Sequence, residues 1–201
     1  MYPSAHPGYR SEYVWSPVLA AARVVAGDQP LRVLEVGCGS GTFAGALARE
    51  GLQVTAVDLS ESGIAHGREA FPSCRFCVAS VYDDLRQQLG EFELVIAIEV
   101  VEHLYAPRNF VVRARETLVS RGTLILTTPY HGYLKNLVLA ISGRMDAHFS
   151  ALSEGGHIKF WSPRTISRLL ENGGFEIRRI WGVGRLPWLW KSMVVVAQRK
   201  D

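Results

Sequence analysis

The sequence predicts an α/β protein: a doubly wound, mostly parallel seven-stranded sheet whose last strand runs antiparallel. Three observations carry this expectation. Short β-branched apolar runs alternate with helical patterns five times between residues 31 and 172. The first run ends in a glycine turn that opens directly into helix-forming sequence. The last two runs are joined only around Gly184–Pro187, too short a link for a crossover, so one of them must be antiparallel. The alternating part requires helices on both faces of the sheet and right-handed connections.

The 201 residues suit one domain, divided here into an N-terminal arm and helix (1–29), a ligand-binding core (30–129), an insertion (130–160) and a C-terminal helix with a strand pair (161–201). Residues 1–12 read as an irregular arm, and Tyr13 to Ala26 as a helix with Val14, Val18, Leu19, Ala22 and Val25 on its apolar side. Leu31–Val36 is the first strand, with a helix to about Glu50 after it, closed by Gly51. Gln53–Asp58 is the second strand. Ser60 caps the next helix, which ends near Phe71-Pro72. Arg75–Ala79 is the third strand, Asp84–Leu89 a short helical piece and Leu94–Ile98 the fourth strand. Pro107 opens a helix through Leu118, and Arg121-Gly122 turns into the fifth strand, Thr123–Thr128. A short helix is expected in the insertion. Ser162 and Pro163 then start the last helix, with Trp161 stapled on Ile166, and strands Phe175–Val183 and about Trp190–Gln198 follow.

Composition narrows the function. Hydrophobic residues make up 48% and charged residues 20%, ordinary for a globular domain, and the net charge of +3 is too mild to indicate a nucleic-acid partner. No apolar stretch of about 18 residues and no signal-peptide pattern occurs, so a cytoplasmic location is expected. The three cysteines suit a reducing compartment. Cys74 and Cys77 stand three apart in a strand and should point to opposite faces, so they read as structural rather than as a metal pair.

The glycine turn selects the ligand. Leu31-Arg-Val-Leu-Glu35-Val-Gly37-Cys38-Gly39-Ser-Gly41-Thr42 lacks the glycine at 42 of a dinucleotide fingerprint and the lysine of a phosphate-binding loop. Glu35-Val-Gly37-Cys38-Gly39-Ser-Gly41 resembles motif I of the class I S-adenosylmethionine-dependent methyltransferases. Ile98-Glu99-Val-Val-Glu102-His103-Leu104 resembles the motif after the fourth strand in relatives of the ubiquinone-pathway O-methyltransferases, and Gly155-Gly-His157-Ile-Lys-Phe-Trp-Ser162 an H-x-x-x-F-[ST] segment of the same superfamily. The likeness covers roughly residues 30–200.

The resemblance implies a Rossmann-like fold and S-adenosyl-L-methionine as cofactor. The loop of Gly37, Cys38, Gly39 and Gly41 would wrap its methionine part and ribose, and Glu35 would help position the amine. An acidic residue at the end of the second strand can accept bonds from both ribose hydroxyls, so Asp58 takes that role. Leu59, Ser80 and Val81 would surround the adenine; Ser80 stands where the family often has Asp, and brings no charge. Ile98 and Glu99 would lie beside the cofactor. In some relatives the positions of Glu99, Glu102 and His103 bind a divalent ion. The reading preferred here assigns no metal and has Glu102 and His103 organise the turn.

Methyl transfer to a hydroxyl needs a proton acceptor, and histidine suits that near neutral pH. His157 and His103 are the candidates, with His131 a further one, whereas His6, His66 and His148 have no comparable company. The function expected is methyl transfer to a small-molecule acceptor, most simply at a hydroxyl oxygen. The alternatives are an NAD(P)-dependent oxidoreductase and a non-catalytic cofactor-binding module. Leu134, Leu137, Val138 and Ile141 form an apolar stripe in the insertion. Such stripes usually pack as core, and that is expected here. The competing expectation is a lid over an apolar or lipid-linked acceptor held at a membrane surface. No feature of the sequence fixes an oligomeric state.

Overall fold

Side chains that alternate along the strands build two cores, one on each face of a single sheet. The computed structural model describes residues 12–27, 29–149, 152 and 154–201. The elements are α1 (Glu12–Ala26), β1 (Arg32–Val36), α2 (Thr42–Arg49), β2 (Gln53–Asp58), α3 (Glu61–Ala70), β3 (Arg75–Val78), α4 (Leu85–Leu89) and β4 (Phe92–Ile98). A 3₁₀ turn (Val101–His103) follows, then α5 (Pro107–Thr117), β5 (Leu118–Pro129), α6 (Tyr133–Ile141), α7 (Met145–Phe149), α8 (Pro163–Asn172), β6 (Phe175–Val183) and β7 (Ser192–Arg199). The irregular arm expected before α1, and His6 within it, lie outside the described residues.

The sheet has seven strands in the order β3-β2-β1-β4-β5-β7-β6. β1 to β5 pair in parallel, and β7 runs antiparallel to both β5 and β6. Leu34, Val95 and Leu124 face one core with Phe110, Ile166 and Leu170, which places α4, α5 and α8 on that side. Val33, Leu94, Ile96 and Ile125 face the other, with Val18, Phe43 and Ile64 from α1, α2 and α3. Cys74, in the bend just before β3, is buried in this second core, and Cys77 within β3 packs against the first, so the two face opposite sides of the sheet.

Local signals place most boundaries. The Ser60 side chain accepts the Gly63 amide at the start of α3, and Ser162 forms a reciprocal capping box with Thr165 at α8. Two expectations are corrected. β5 begins at Leu118, not Thr123: Leu118 already pairs with Phe92, and the expected turn survives as a bulge with Arg121 in the left-handed region at φ 58°. The insertion holds two helices, and the apolar stripe of α6 does not pack as core. Leu134, Leu137, Val138 and Ile141 are exposed, while Lys135 between them is buried.

The order of strands reverses between β1 and β4, so the crevice at their carboxyl ends is where a ligand is held in such a sheet. Ile141→Ser, at a site 79% exposed, is expected to change stability by less than about 0.5 kcal/mol, whereas Phe110→Ala, 1% exposed, should cost about 3–5 kcal/mol. Urea unfolding of both variants checks the exposed face of α6 against the core.

Candidate active site

The loop after β1 is held open by its neighbours. The amides of Gly37 and Cys38 both donate to the Val57 carbonyl, at 2.8 and 3.1 Å. The Gly39 amide donates to Asp58 Oδ2 at 2.8 Å, and the Ser60 amide to Asp58 Oδ1 at 2.8 Å. Asp58 therefore fastens the loop to the end of β2 and to the start of α3. Each glycine is required for a different reason. A Cβ at Gly37 would fall 2.6 Å from Val100 Cγ2, and one at Gly41 would enter the Phe76 ring. A Cβ at Gly39 meets no protein atom within 4 Å, although φ there is +55°. The open space at Gly39 faces whatever the loop binds.

Glu35 lies beneath the loop. It is 3% exposed, and its Oε2 has no hydrogen-bond partner. Burial, reinforced by the Asp58 charge, pushes its carboxyl up to about 8, although the Ala44 amide opposes the shift. An orphaned buried carboxylate oxygen next to an open backbone cradle fits a ligand that carries a positive charge. Cys38 is buried at 8% exposure, and burial drives its thiol far above the ordinary range, so it fills space and is not nucleophilic. On the far side of the crevice, Leu59 is 65% exposed. Ser80 is engaged in its own turn: its amide donates to Asp83 and its hydroxyl accepts the Tyr82 amide. Val81 packs partly on the core.

Glu99 follows β4 in the left-handed region at φ 53°, uncommon for a residue with a side chain. Its amide donates to the Thr127 carbonyl and hydroxyl, at 3.2 and 3.0 Å. Its Oε2 accepts from Ser192 at 3.1 Å, and the Ser192 and Tyr13 hydroxyls are 2.6 Å apart. No motif signals this Tyr13–Ser192–Glu99 chain. It spans 179 residues, and neither Tyr13 nor Ser192 sits in a motif. Glu102 is fully buried. Its Oε2 accepts from Thr128 at 3.1 Å, its Oε1 is unpartnered, and its carbonyl accepts the Ile158 and Lys159 amides. Burial raises both carboxyls, and the Glu99 charge raises Glu102 further.

His103 and His157 meet edge to face, with ring centroids 5.0 Å apart. His103 Nδ1 lies 3.0 Å from the Gly155 carbonyl and 3.3 Å from that of Gly156. A carbonyl only accepts, so Nδ1 carries a proton, and in the neutral ring Nε2 is the nitrogen left with a free lone pair. Burial pulls His157 down to about 4, so its ring is neutral. Ligand atoms of Glu102, His103 and His157 lie within 4.8 Å of one another, a set of types that suits a divalent ion. The same residues tie the 3₁₀ turn to the end of the insertion. Glu99 lies outside this cluster and is bonded to Ser192. His148 is not isolated: its ring lies 5.5 Å from that of His131, beside Phe149 and Phe160.

Residues 9–180 match the family model described as a methyltransferase domain. This chain belongs to that methyltransferase family. It is an S-adenosylmethionine-dependent enzyme, as its family and relatives show. The methyltransferase is 30% identical over 162 residues to the ubiquinone biosynthesis O-methyltransferase of Chromobacterium violaceum, covering 78% of this chain and 69% of that one. It is 40% identical over 170 residues to the protein of the same name from Albidiferax ferrireducens, covering 81% and 66%. Magnesium protoporphyrin IX methyltransferase from Synechocystis PCC 6803, with bound S-adenosylhomocysteine, shares the fold at a TM-score of 0.71 and 22% identity, over 93% of this chain and 82% of that one.

Glu35 makes the methyltransferase sensitive to pH. Between its ordinary value of 4.5 and about 8, the folded chain holds a proton there that the unfolded chain has lost. Stability contributed by this group therefore falls as pH rises through that window. In the cofactor-free protein, Glu35→Gln is expected to flatten the decline of Tm across it, and an unchanged slope would show that Glu35 is ionised at neutral pH.

Proposed function

We propose that this methyltransferase moves a methyl group to a hydroxyl oxygen of a small, apolar or lipid-linked acceptor presented at a membrane surface. The single observation behind the oxygen chemistry is the His103 tautomer. An imidazole whose Nδ1–H is held by a carbonyl keeps Nε2 free to take a proton from a hydroxyl. Relatives named as O-methyltransferases support the same reading. The exposed stripe of α6, with Leu186 and Trp188 also exposed, supports an apolar acceptor. No helix among the described residues is long and apolar enough to cross a membrane, so contact with one would be peripheral.

The chain's own residues then divide the work. Glu35 would meet the positive amine of the cofactor, losing its proton as the ligand's charge repays its burial. Gly37, Cys38, Gly39 and Gly41 would border its methionine part, and Asp58 its ribose hydroxyls, with the carboxylate already aligned by two backbone amides. Leu59, Ser80 and Val81 would enclose the adenine. Ile98 and Glu99 would flank the reacting end. S-adenosylmethionine, when bound, supplies a methyl group already activated by its sulfonium. The protein has to align the acceptor, exclude water and accept one proton. We assign the proton to His103, with His157 packed against it to hold the ring.

Two outcomes test this. Gly39→Ala should keep the fold, at about 1 kcal/mol for its left-handed backbone. It should weaken S-adenosylhomocysteine binding at least tenfold in calorimetry, because a methyl group then occupies the ligand's space; unchanged affinity would remove the loop from the cofactor site. His103→Ala should lower kcat by roughly 10²–10⁴-fold with cofactor affinity retained, and His157→Ala by less. Activity should survive EDTA; its loss, with recovery on Mg²⁺, would turn both histidines from base and support into metal ligands.

A further inference from the structure

A cavity of about 520 Å³ lies between α6 and the β6–β7 connection, lined by Lys135, Val138, Leu139, Arg185, Leu186 and Leu189. Its size suits a ligand of modest length. Four of the six lining residues are aliphatic, yet the other two are cations. Lys135 is 6% exposed, an uncommon place for an ammonium group. Its Nζ donates to the Tyr130 carbonyl at 2.7 Å and lies 3.5 Å from that of Lys191. Neither contact neutralises the charge, and among the described residues no carboxylate lies within ion-pair distance of Lys135 or Arg185. Glu99 is the acid whose field reaches Lys135, but its Oε2 is bonded to Ser192 and burial disfavours its charge.

The cavity adjoins the reacting edge of the sheet. Tyr130 follows β5 and Lys191 precedes Ser192, the residue that holds Glu99. The Lys135 ammonium is thus held just past the end of β5 and within the field of Glu99, which follows β4. Leu134, Leu137 and Ile141 of α6 and Leu186 and Trp188 of the β6–β7 connection are exposed. An aliphatic cavity with two unpaired cations is complementary to an anion attached to a hydrocarbon segment.

We infer that this cavity binds the methyl acceptor and that the acceptor carries an anionic group, a carboxylate or a phosphate, recognised by Lys135 and Arg185, with its hydrocarbon segment between α6 and Leu186–Leu189. The inference rests on the methyltransferase reading above and specifies its substrate class. A purely neutral apolar acceptor would leave both cations unanswered, and a small polar anion would leave the aliphatic wall unused.

The test is calorimetry on the full chain with dodecyl phosphate, dodecanoate, neutral dodecyl maltoside and inorganic phosphate, each below its micellar concentration. S-adenosylhomocysteine is titrated into the same samples. The two anionic amphiphiles should bind at least roughly tenfold tighter than the maltoside and than inorganic phosphate. Arg185→Glu, at an exposed position, should abolish that preference, and Lys135→Met should weaken it. Equal binding of neutral and anionic chains, a preference unchanged by Arg185→Glu, or inorganic phosphate binding as well as dodecyl phosphate would each overturn the inference. Loss of S-adenosylhomocysteine binding by the unmodified chain would instead overturn the cofactor-site reading, whatever the amphiphiles do.

Discussion

The carboxylate of Asp58 joins three elements that are otherwise separate. One oxygen takes the Gly39 amide from the loop after β1, and the other takes the Ser60 amide at the entrance to α3. Both bonds are charge-assisted, and both leave lone pairs on an acid at the edge of the crevice. The loop also hangs from the Val57 carbonyl. Its open backbone is thus fixed by β2 before any ligand arrives. A flexible glycine segment would otherwise lose its ordering entropy at the moment of binding. The close fit of Gly41 on Phe76, and of Gly63 on the Gly39 carbonyl, leaves the loop no other way to lie.

Across the crevice the same economy is reached by burial. Glu99 sits in left-handed backbone because Thr127 holds its amide from two atoms. Glu102 is shut into the core by Thr128, and its carbonyl collects the returning segment of the insertion at Ile158 and Lys159. Each acid keeps one oxygen without a partner. Buried polar atoms are normally satisfied, and those that are not tend to mark where chemistry occurs. Together with Glu35 on β1, the unpartnered oxygens flank the switch point, those of Glu99 and Glu102 standing on the segment that follows β4.

Much of this was legible in the residues. Short β-branched apolar runs marked the strands, and Ser60, Ser162 and the glycines the turns, because those signals act within a few residues of where they stand. The Gly37–Gly41 loop and the Glu99–His103 segment were visible for the same reason. The Tyr13–Ser192–Glu99 chain was not, since a hydroxyl at position 13 says nothing of a hydroxyl at 192 until α1 is laid against β7. The start of β5 was misjudged because Arg121-Gly122 reads as a turn between elements. Its left-handed residue is instead a bulge inside one strand, which the pairing of Leu118 with Phe92 alone reveals.

Helix α6 shows where periodicity stops being informative. A stripe at i, i+3, i+4 and i+7 fixes which residues share a face, and it did so correctly. What the stripe faces depends on the surface available to receive it. Here the face turned to the domain is the one that carries Lys135, because the Tyr130 carbonyl just past β5 accepts its ammonium group at 2.7 Å, beside the Lys191 carbonyl that takes the Tyr130 amide. Burying that lysine costs enough to pull its ionisation down to about 8. Packing the leucines inward would avoid that cost, yet the helix does the reverse. An orientation that exposes its apolar side and buries its charge is one that a ligand with both kinds of surface would stabilise. On the proposal above, an amphiphilic ligand in the adjoining cavity accounts for this arrangement of α6, which the surface it rests on does not.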